Sequence, residues 1–262
     1  MSFQPVIPTT GYVGWRFLSR TLPAQQEAFK QSAPVARATE YFRDNIAKVK
    51  TVDGLMADRR LLDVALGAFG LDQDIASRAF IRKVLAEGTL KDDAFANRLA
   101  DKRYAQLARA FGFGDLGART GLPSFATEIV TRFEARRFEV AVGEQDGNMR
   151  LALSLSQGLA DATTAGGKDA QWFSVMGLTP VRAVFEKALG FPPAFGSIDL
   201  DQQLAAFKVR ARATFGTDNV ADFANPVQQE KLIRLFLIRS EAASGGGFSS
   251  ANIALALLGG RS

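Results

Sequence analysis

Arg59–Leu85 reads RRLLDVALGAFGLDQDIASRAFIRKVL. Leu62, Ala65, Leu66 and Phe69 recur at steps of three and four, and the run stops at Gly70. That spacing places the residues on one face of an α-helix. Glycine enters the left-handed conformation without a Cβ clash, so Gly70 predicts the C-terminal cap of this helix. Asp72 and Asp74 follow, and Ile75, Ala79, Phe80, Val84 and Leu85 begin a second apolar stripe. Aspartate accepts the free N–H groups at a helix start, so Asp74 predicts the N-cap of the second helix. The unit is a helix–cap–helix corner.

The corner returns in altered form. Val184–Phe191 (VFEKALGF) parallels Val64–Leu71 (VALGAFGL), with Gly190 in the place of Gly70. Asp72, Asp74 and Phe80 are matched in spacing by Asp199, Asp201 and Phe207, and Pro192 and Pro193 sit in an insertion at the first loop. Loops tolerate such insertions. Phe95-Ala96-Asn97 recurs as Phe223-Ala224-Asn225. Phe80, Phe95, Phe207 and Phe223 read as core knobs, and Asn97 and Asn225 as residues that close a turn or cap a helix. The shared order predicts two diverged helical repeats.

Outward from the corners the helical period continues. Residues 24–32 and 35–50 carry it, and Asp53 can cap a helix running from Gly54 to about Phe69. Asp101 starts another, with Tyr104, Leu107, Ala108 and Phe111 inward. Ser124 predicts the N-cap of a long helix through Phe125, Ile129, Val130 and Phe133 toward Leu159, although Gly143 and Gly147 weaken its middle. The period resumes near Trp172 and lasts to about Ser240. Strand-like alternation is almost absent. The expected fold is all-α, a bundle-like array of two diverged repeats joined by a long helix, with an irregular N-terminal arm and a short C-terminal helix.

Four regions are expected. Residues 1–22 are the arm, where Pro5, Pro8, Gly11 and Gly14 punctuate and Tyr12, Trp15 and Phe17 supply a docking cluster. Residues 23–123 form the first half, and 124–240 the long helix and second half. Residues 241–262 hold a Gly/Ser linker, Ser244–Ser250 (SGGGFSS), and an apolar tail, Ala251–Leu258 (ANIALALL).

Composition narrows the chemistry. The chain has no His and no Cys. Thiolate nucleophiles, histidine bases, Ser-His-Asp triads and Cys/His zinc sites are therefore excluded, leaving carboxylate, Lys or Tyr chemistry. Of its aromatic residues, 21 are Phe, which has no polar handle and belongs in cores. The net charge of +5 is spread along the chain, which suits a soluble surface better than a concentrated nucleic-acid face. No secretory signal and no apolar run long enough to span a bilayer are visible.

The short motifs read as structure. Gly112–Gly117 (GFGDLG) matches G-x-G-x-x-G, but a helix precedes it where the dinucleotide motif needs a strand. It reads as a helix-terminating loop. Gly166-Gly167-Lys168 lacks the first P-loop glycine, since Ala162 stands there, and Asp169 follows the lysine. The two Asp-x-Asp pairs lack the further oxygen ligands of a calcium loop and read as caps. No catalytic, cofactor-binding or metal-binding residue is assigned. Two segments are candidate partner contacts. Arg132, Arg136 and Arg137 interleave with Phe133 and Phe138, and Phe248, Ile253, Leu255, Leu257 and Leu258 give the tail its apolar side chains. The tail could enter a partner's groove or dock on its own core.

The runs RRLLDVALGAFGLDQDI, FANRLADKRYAQLARAFGF and RRFEVAVGEQDGNMRLAL, with GYVGWRFLSRT near the start, resemble an alphaproteobacterial family, domain of unknown function 1217. The resemblance covers most of the chain. It implies no established catalytic residues, and it implies a flagellar association for some members through their gene surroundings. The expected function is a non-enzymatic helical protein that makes protein–protein contacts in flagellar assembly or function. The location expected with it is the cytoplasm, or the flagellum by non-Sec export. A small-ligand binder or carboxylate/Lys enzyme, and a nucleic-acid binder using the basic long helix, are the alternatives.

Overall fold

The computed structural model describes residues 3–243, and the Gly/Ser linker and apolar tail lie outside them. Among the described residues every regular element is a helix. The longer helices are α1 (Gly11–Lys30), α2 (Ala33–Asn45), α3 (Val52–Ala57), α4 (Arg59–Gly67), α5 (Arg78–Glu87), α6 (Phe95–Arg98) and α7 (Arg103–Phe111). They continue with α8 (Phe125–Gly143), α9 (Gly147–Thr163), α10 (Lys168–Gly177), α11 (Thr179–Leu189), α12 (Leu200–Phe215) and α13 (Pro226–Ala243). None is long and apolar enough to cross a membrane among the described residues.

The chain forms two compact units. Unit 1 comprises residues 3–6 and Arg20–Glu144. Its centre is α4, whose Leu61, Leu62, Val64, Ala65 and Leu66 are all buried. The apolar side of α4 must be enclosed while Arg59 and Arg60 stay exposed, and α2, α3 and α8 pack on it. Phe42, Ile46, Leu55, Phe111, Phe125, Ile129 and Phe133 complete this core. A side cluster sits beneath α5, α6 and α7, where the Phe80 ring meets Phe95 at 5.4 Å and Tyr104 at 5.0 Å, both edge to face.

Unit 2 comprises Ile7–Ser19 and residues 145–243. Its α11 packs against α13, α9 and α10. Aromatic rings run through the core: Trp172 meets Phe185 at 5.3 Å and Phe207 at 5.6 Å, and Phe185 meets Phe223 at 5.0 Å. Buried Trp172 spends its one donor on the Asp218 carbonyl, 2.7 Å away. Trp15 is buried here too and donates to Glu230 at 3.1 Å, beside the Tyr12 hydroxyl at 2.9 Å from the same carboxylate. The aromatic cluster of the arm is thus an anchor.

Several expected boundaries move. Residues 11–22 are helical, not irregular, and Pro23 lies inside α1. Proline cannot donate to the carbonyl four residues back, which is that of Ser19, and the division between the units falls after that residue. The helix expected from Gly54 to Phe69 is two helices. Thr51 caps α3 by accepting from the Gly54 N–H at 3.1 Å. Asp58 breaks the run and caps α4, accepting from Arg60 and Leu61 at 2.9 and 3.1 Å. Asp53 instead pairs with Arg82. The long connecting helix is also two helices, because Asp146 accepts from the Asn148 and Met149 N–H groups at 2.8 and 3.1 Å and starts α9 anew. Such a cap is worth about 1 kcal/mol, and Gly143 and Gly147 withhold a comparable amount of helix propensity. Ser124 occupies the N-cap position of α8 without a side-chain capping bond. Since α8 packs on α2 and α4, it belongs to unit 1.

The packing around the two corners differs. The main neighbours of α4 are α2 and α8, and those of α11 are α13 and α9. What recurs is the corner itself.

Candidate functional site

Both corners close in the same way. Gly70 has φ +68° and Gly190 φ +70°, the left-handed values expected of them. In the first, Leu71 N–H donates to the Leu66 carbonyl at 2.9 Å and Gly70 N–H to Gly67 at 3.1 Å. In the second, Phe191 N–H donates to Glu186 at 2.9 Å and Gly190 N–H to Lys187 at 3.1 Å. These paired bonds satisfy carbonyls that a helix end leaves without intrahelical donors. Arginines reach main-chain carbonyls in both corners, that of Gly70 in the first and those of Ala188, Leu189 and Gly190 in the second.

At Gly70 the arginine is Arg103, from the start of α7. Its Nη1 donates to the Gly70 carbonyl at 2.5 Å. Its other edge grips Asp101, with Nε 3.0 Å from both carboxylate oxygens and Nη2 2.6 Å from Oδ2. That carboxylate raises Arg103 above its ordinary value. Next to it the Tyr104 hydroxyl donates to Asp74 at 2.9 Å. Burial, and then this bond, push the Tyr104 phenol up to about 12. Asp74 is therefore not the N-cap of α5, a position that Ser77 holds. The chain turns once more through Asp72–Asp74 in a 3₁₀ turn, which leaves the Asp74 carboxylate facing α7.

At Gly190 two arginines arrive. Arg210 of α12 donates from Nη1 to the carbonyls of Leu189 and Gly190, at 3.0 and 2.8 Å. Arg239 of α13 donates from Nη1 to the Ala188 carbonyl at 2.5 Å. Arg210 also lies over the Phe191 ring at 4.4 Å, and that ring stacks on Phe195 at 3.8 Å. Asp199 caps α12, accepting from Asp201 and Gln202 N–H groups at 2.9 and 3.3 Å, while Asp201 sits exposed in the first turn. The asparagines diverge. Asn225 caps α13 through Val227 N–H at 2.9 Å, whereas Asn97 donates to the Thr89 and Lys91 carbonyls at 2.9 and 2.8 Å and closes a loop.

A third feature lies in the G-x-G-x-x-G segment. It is a loop ending α7, with Gly112 at φ +69°. Asp115 within it accepts from the N–H groups of Thr89 and Leu90 at 2.6 and 3.0 Å, and from the Thr89 hydroxyl at 3.1 Å. One carboxylate thus ties two loops together. Beside it Leu90 is 64% and Leu116 94% exposed.

The arginines of α8 are engaged within unit 1. Arg136 pairs with buried Glu139 at 2.8 Å, Arg132 lies over Phe69 at 5.5 Å, and exposed Arg137 lies over Phe133 at 5.7 Å. The tail candidates Phe248, Ile253, Leu255, Leu257 and Leu258 lie outside the described residues. Among the described residues, no cluster of three or more Asp and Glu side chains could hold a metal ion. Sequence reasoning missed Arg210, Arg239 and Asp115. The partners of Arg210 and Asp115 lie 20 or more residues away, and that of Arg239 lies 51 away.

The chain is similar to the crystal structure of protein AGR_C_984 from Agrobacterium tumefaciens. The two are 29% identical with a TM-score of 0.74, over 92% of this chain and 99% of that one. No curated protein matches. A family model described as "Protein of unknown function (DUF1217)" matches residues 68–228, a span that begins just before the first corner and takes in the second. That span is more than half of the sequence, and the chain belongs to the DUF1217 family.

Proposed function

We propose that this protein acts by binding another protein and carries out no chemistry of its own. The observation that supports the reading is the pair Leu90 and Leu116 beside the Asp115 knot. A leucine 94% exposed on a loop held by three hydrogen bonds is already ordered. Its burial by a partner gains the hydrophobic term while little loop entropy remains to be lost. Flagellar assembly or function is the setting proposed with it, and gene surroundings in the family supply that part of the proposal.

The test is affinity capture from the source cell with the full chain, the Leu90→Ser/Leu116→Ser double variant and a chain lacking residues 244–262. The double variant is expected to fold normally by circular dichroism and to lose a partner that the full chain retains. An unchanged set of captured proteins would contradict the knot as the contact. A partner lost only on truncation would move the contact to the tail. A deletion strain with normal motility and normal flagella would remove the flagellar setting.

A further inference from the structure

The first corner shows what an arginine in this position can hold. Arg103 serves a main-chain carbonyl with Nη1 and a carboxylate with its Nε and Nη2 edge. In the second corner Arg210 and Arg239 make the carbonyl bonds with Nη1. Neither has an acidic partner among the described residues, and the one acidic residue of α11, Glu186, is taken by Arg182 at 2.7 Å. The end of a helix offsets only about half a unit of positive charge, so most of two guanidinium charges stays uncompensated. Burial and the neighbouring Arg210 both push Arg239 down, as expected for two cations with no acid between them. The side chains are nonetheless held in place, Arg210 by two carbonyls and the Phe191 ring, Arg239 by Ala188. Arg210 is exposed.

We infer that the Gly190 corner is a carboxylate-binding site, in which Arg210 and Arg239 take an acidic side chain or C-terminus of a protein partner as Arg103 takes Asp101. A planar guanidinium edge matches a carboxylate by two parallel N–H···O bonds, and such charge-assisted pairs are the stronger hydrogen bonds. The assignment rests on the reading of the chain as a protein-binding protein. It uses unit 2, and the leucine knot is in unit 1, so the two can be broken separately.

The experiment titrates the full chain with a fluorescent glutamate-rich peptide and with its glutamine counterpart. Saturable binding of the first and none of the second is expected. Arg210→Gln is expected to weaken binding by about tenfold or more, as losing one partner of a charge-assisted contact does. Arg37→Gln, at an exposed arginine of α2 outside the corner, is expected to leave it unchanged. Should Arg239→Gln fail to fold, Arg239→Lys keeps the charge and removes the fork, and it too is expected to weaken binding. The site is overturned by no saturable binding to folded wild type, or by equal weakening in Arg37→Gln. Free glutarate that competes as well as the peptide would overturn the polypeptide as the source of the carboxylate. If peptide binding fails while leucine-dependent capture persists, the carboxylate site falls and the protein-binding reading stands. The reverse result separates them the other way.

Discussion

At Gly70 one guanidinium spans a main-chain carbonyl and Asp101, while at Gly190 two guanidiniums meet three carbonyls and, among the described residues, no acid. The backbone problem is the same in both places. A helix ends on a left-handed glycine, and its last carbonyls need donors. Arginine supplies them from a helix distant in sequence in each unit. The difference lies in what the rest of the arginine does. Where Asp101 neutralises it, the arginine is a structural cross-link. Where no acid arrives, donors and charge are left over, and binding can use them.

The largest effect should come from breaking the neutralised corner. Arg103→Ala removes the guanidinium from the Gly70 carbonyl and from the half-buried Asp101 carboxylate, which keeps only the N–H of residue 103 at 3.0 Å, and is expected to cost about 2–3 kcal/mol in urea denaturation. Arg210→Ala should cost about 0.5 kcal/mol or less, because the residue is exposed and Arg239 still serves the helix end. Equal costs would erase the distinction between the corners. Next come the glycines. Gly70→Ala and Gly190→Ala each force a Cβ into the left-handed region, at about 1–2 kcal/mol. A Cβ at Gly190 would also lie 3.0 Å from Arg239 Nη1, the movable end of a side chain. The two costs should therefore agree within about 1 kcal/mol, the spread of the left-handed term itself. A wider gap would show that the corners are not equivalent in their backbones.

The smallest effect is a titration. All three tyrosines, Tyr12, Tyr41 and Tyr104, are raised above 10.0 in the folded chain, Tyr104 to about 12. For Tyr12 and Tyr104 burial is the main cause, and for Tyr41 it is the hydrogen bond to Asp58. A phenol raised on folding contributes stability that is full below the unfolded value, and for Tyr104 that contribution is lost as pH rises through about 12. Native protein should show less tyrosinate absorbance at pH 10 than the urea-unfolded chain, which is half ionised there, with Tyr104 still protonated. Half-ionisation of the native chain at that pH would contradict the Tyr104–Asp74 contact beside the first corner.

Helical spacing, the absence of strand-like alternation and the glycines were enough to read the all-α class and both corner caps from the residues. Local chemistry also revealed Asp199 and Asn225 as caps, because each acts on N–H groups within three residues of itself. Breaks made by competing caps were not legible. Asp58 and Asp146 sit inside continuous apolar periods, and whether an aspartate interrupts a helix or rides on its surface depends on the packing at either side. The helix at residues 11–22 was hidden by its glycines and by Pro23, and burial of Trp15 and Leu18 overrides both. Least visible was the candidate site. Arg210 and Arg239 look like the solvated face of their helices, and only the fold brings them to Gly190.

The first corner is filled, and the second offers donors to a carboxylate. The most direct measurement follows the side-chain Nε–H resonances of Arg103, Arg210 and Arg239 by NMR while the glutamate-rich peptide is added. Arg210 and Arg239 are expected to shift together and saturate while Arg103 stays in place. A shift of all three in parallel, or of none, would contradict it.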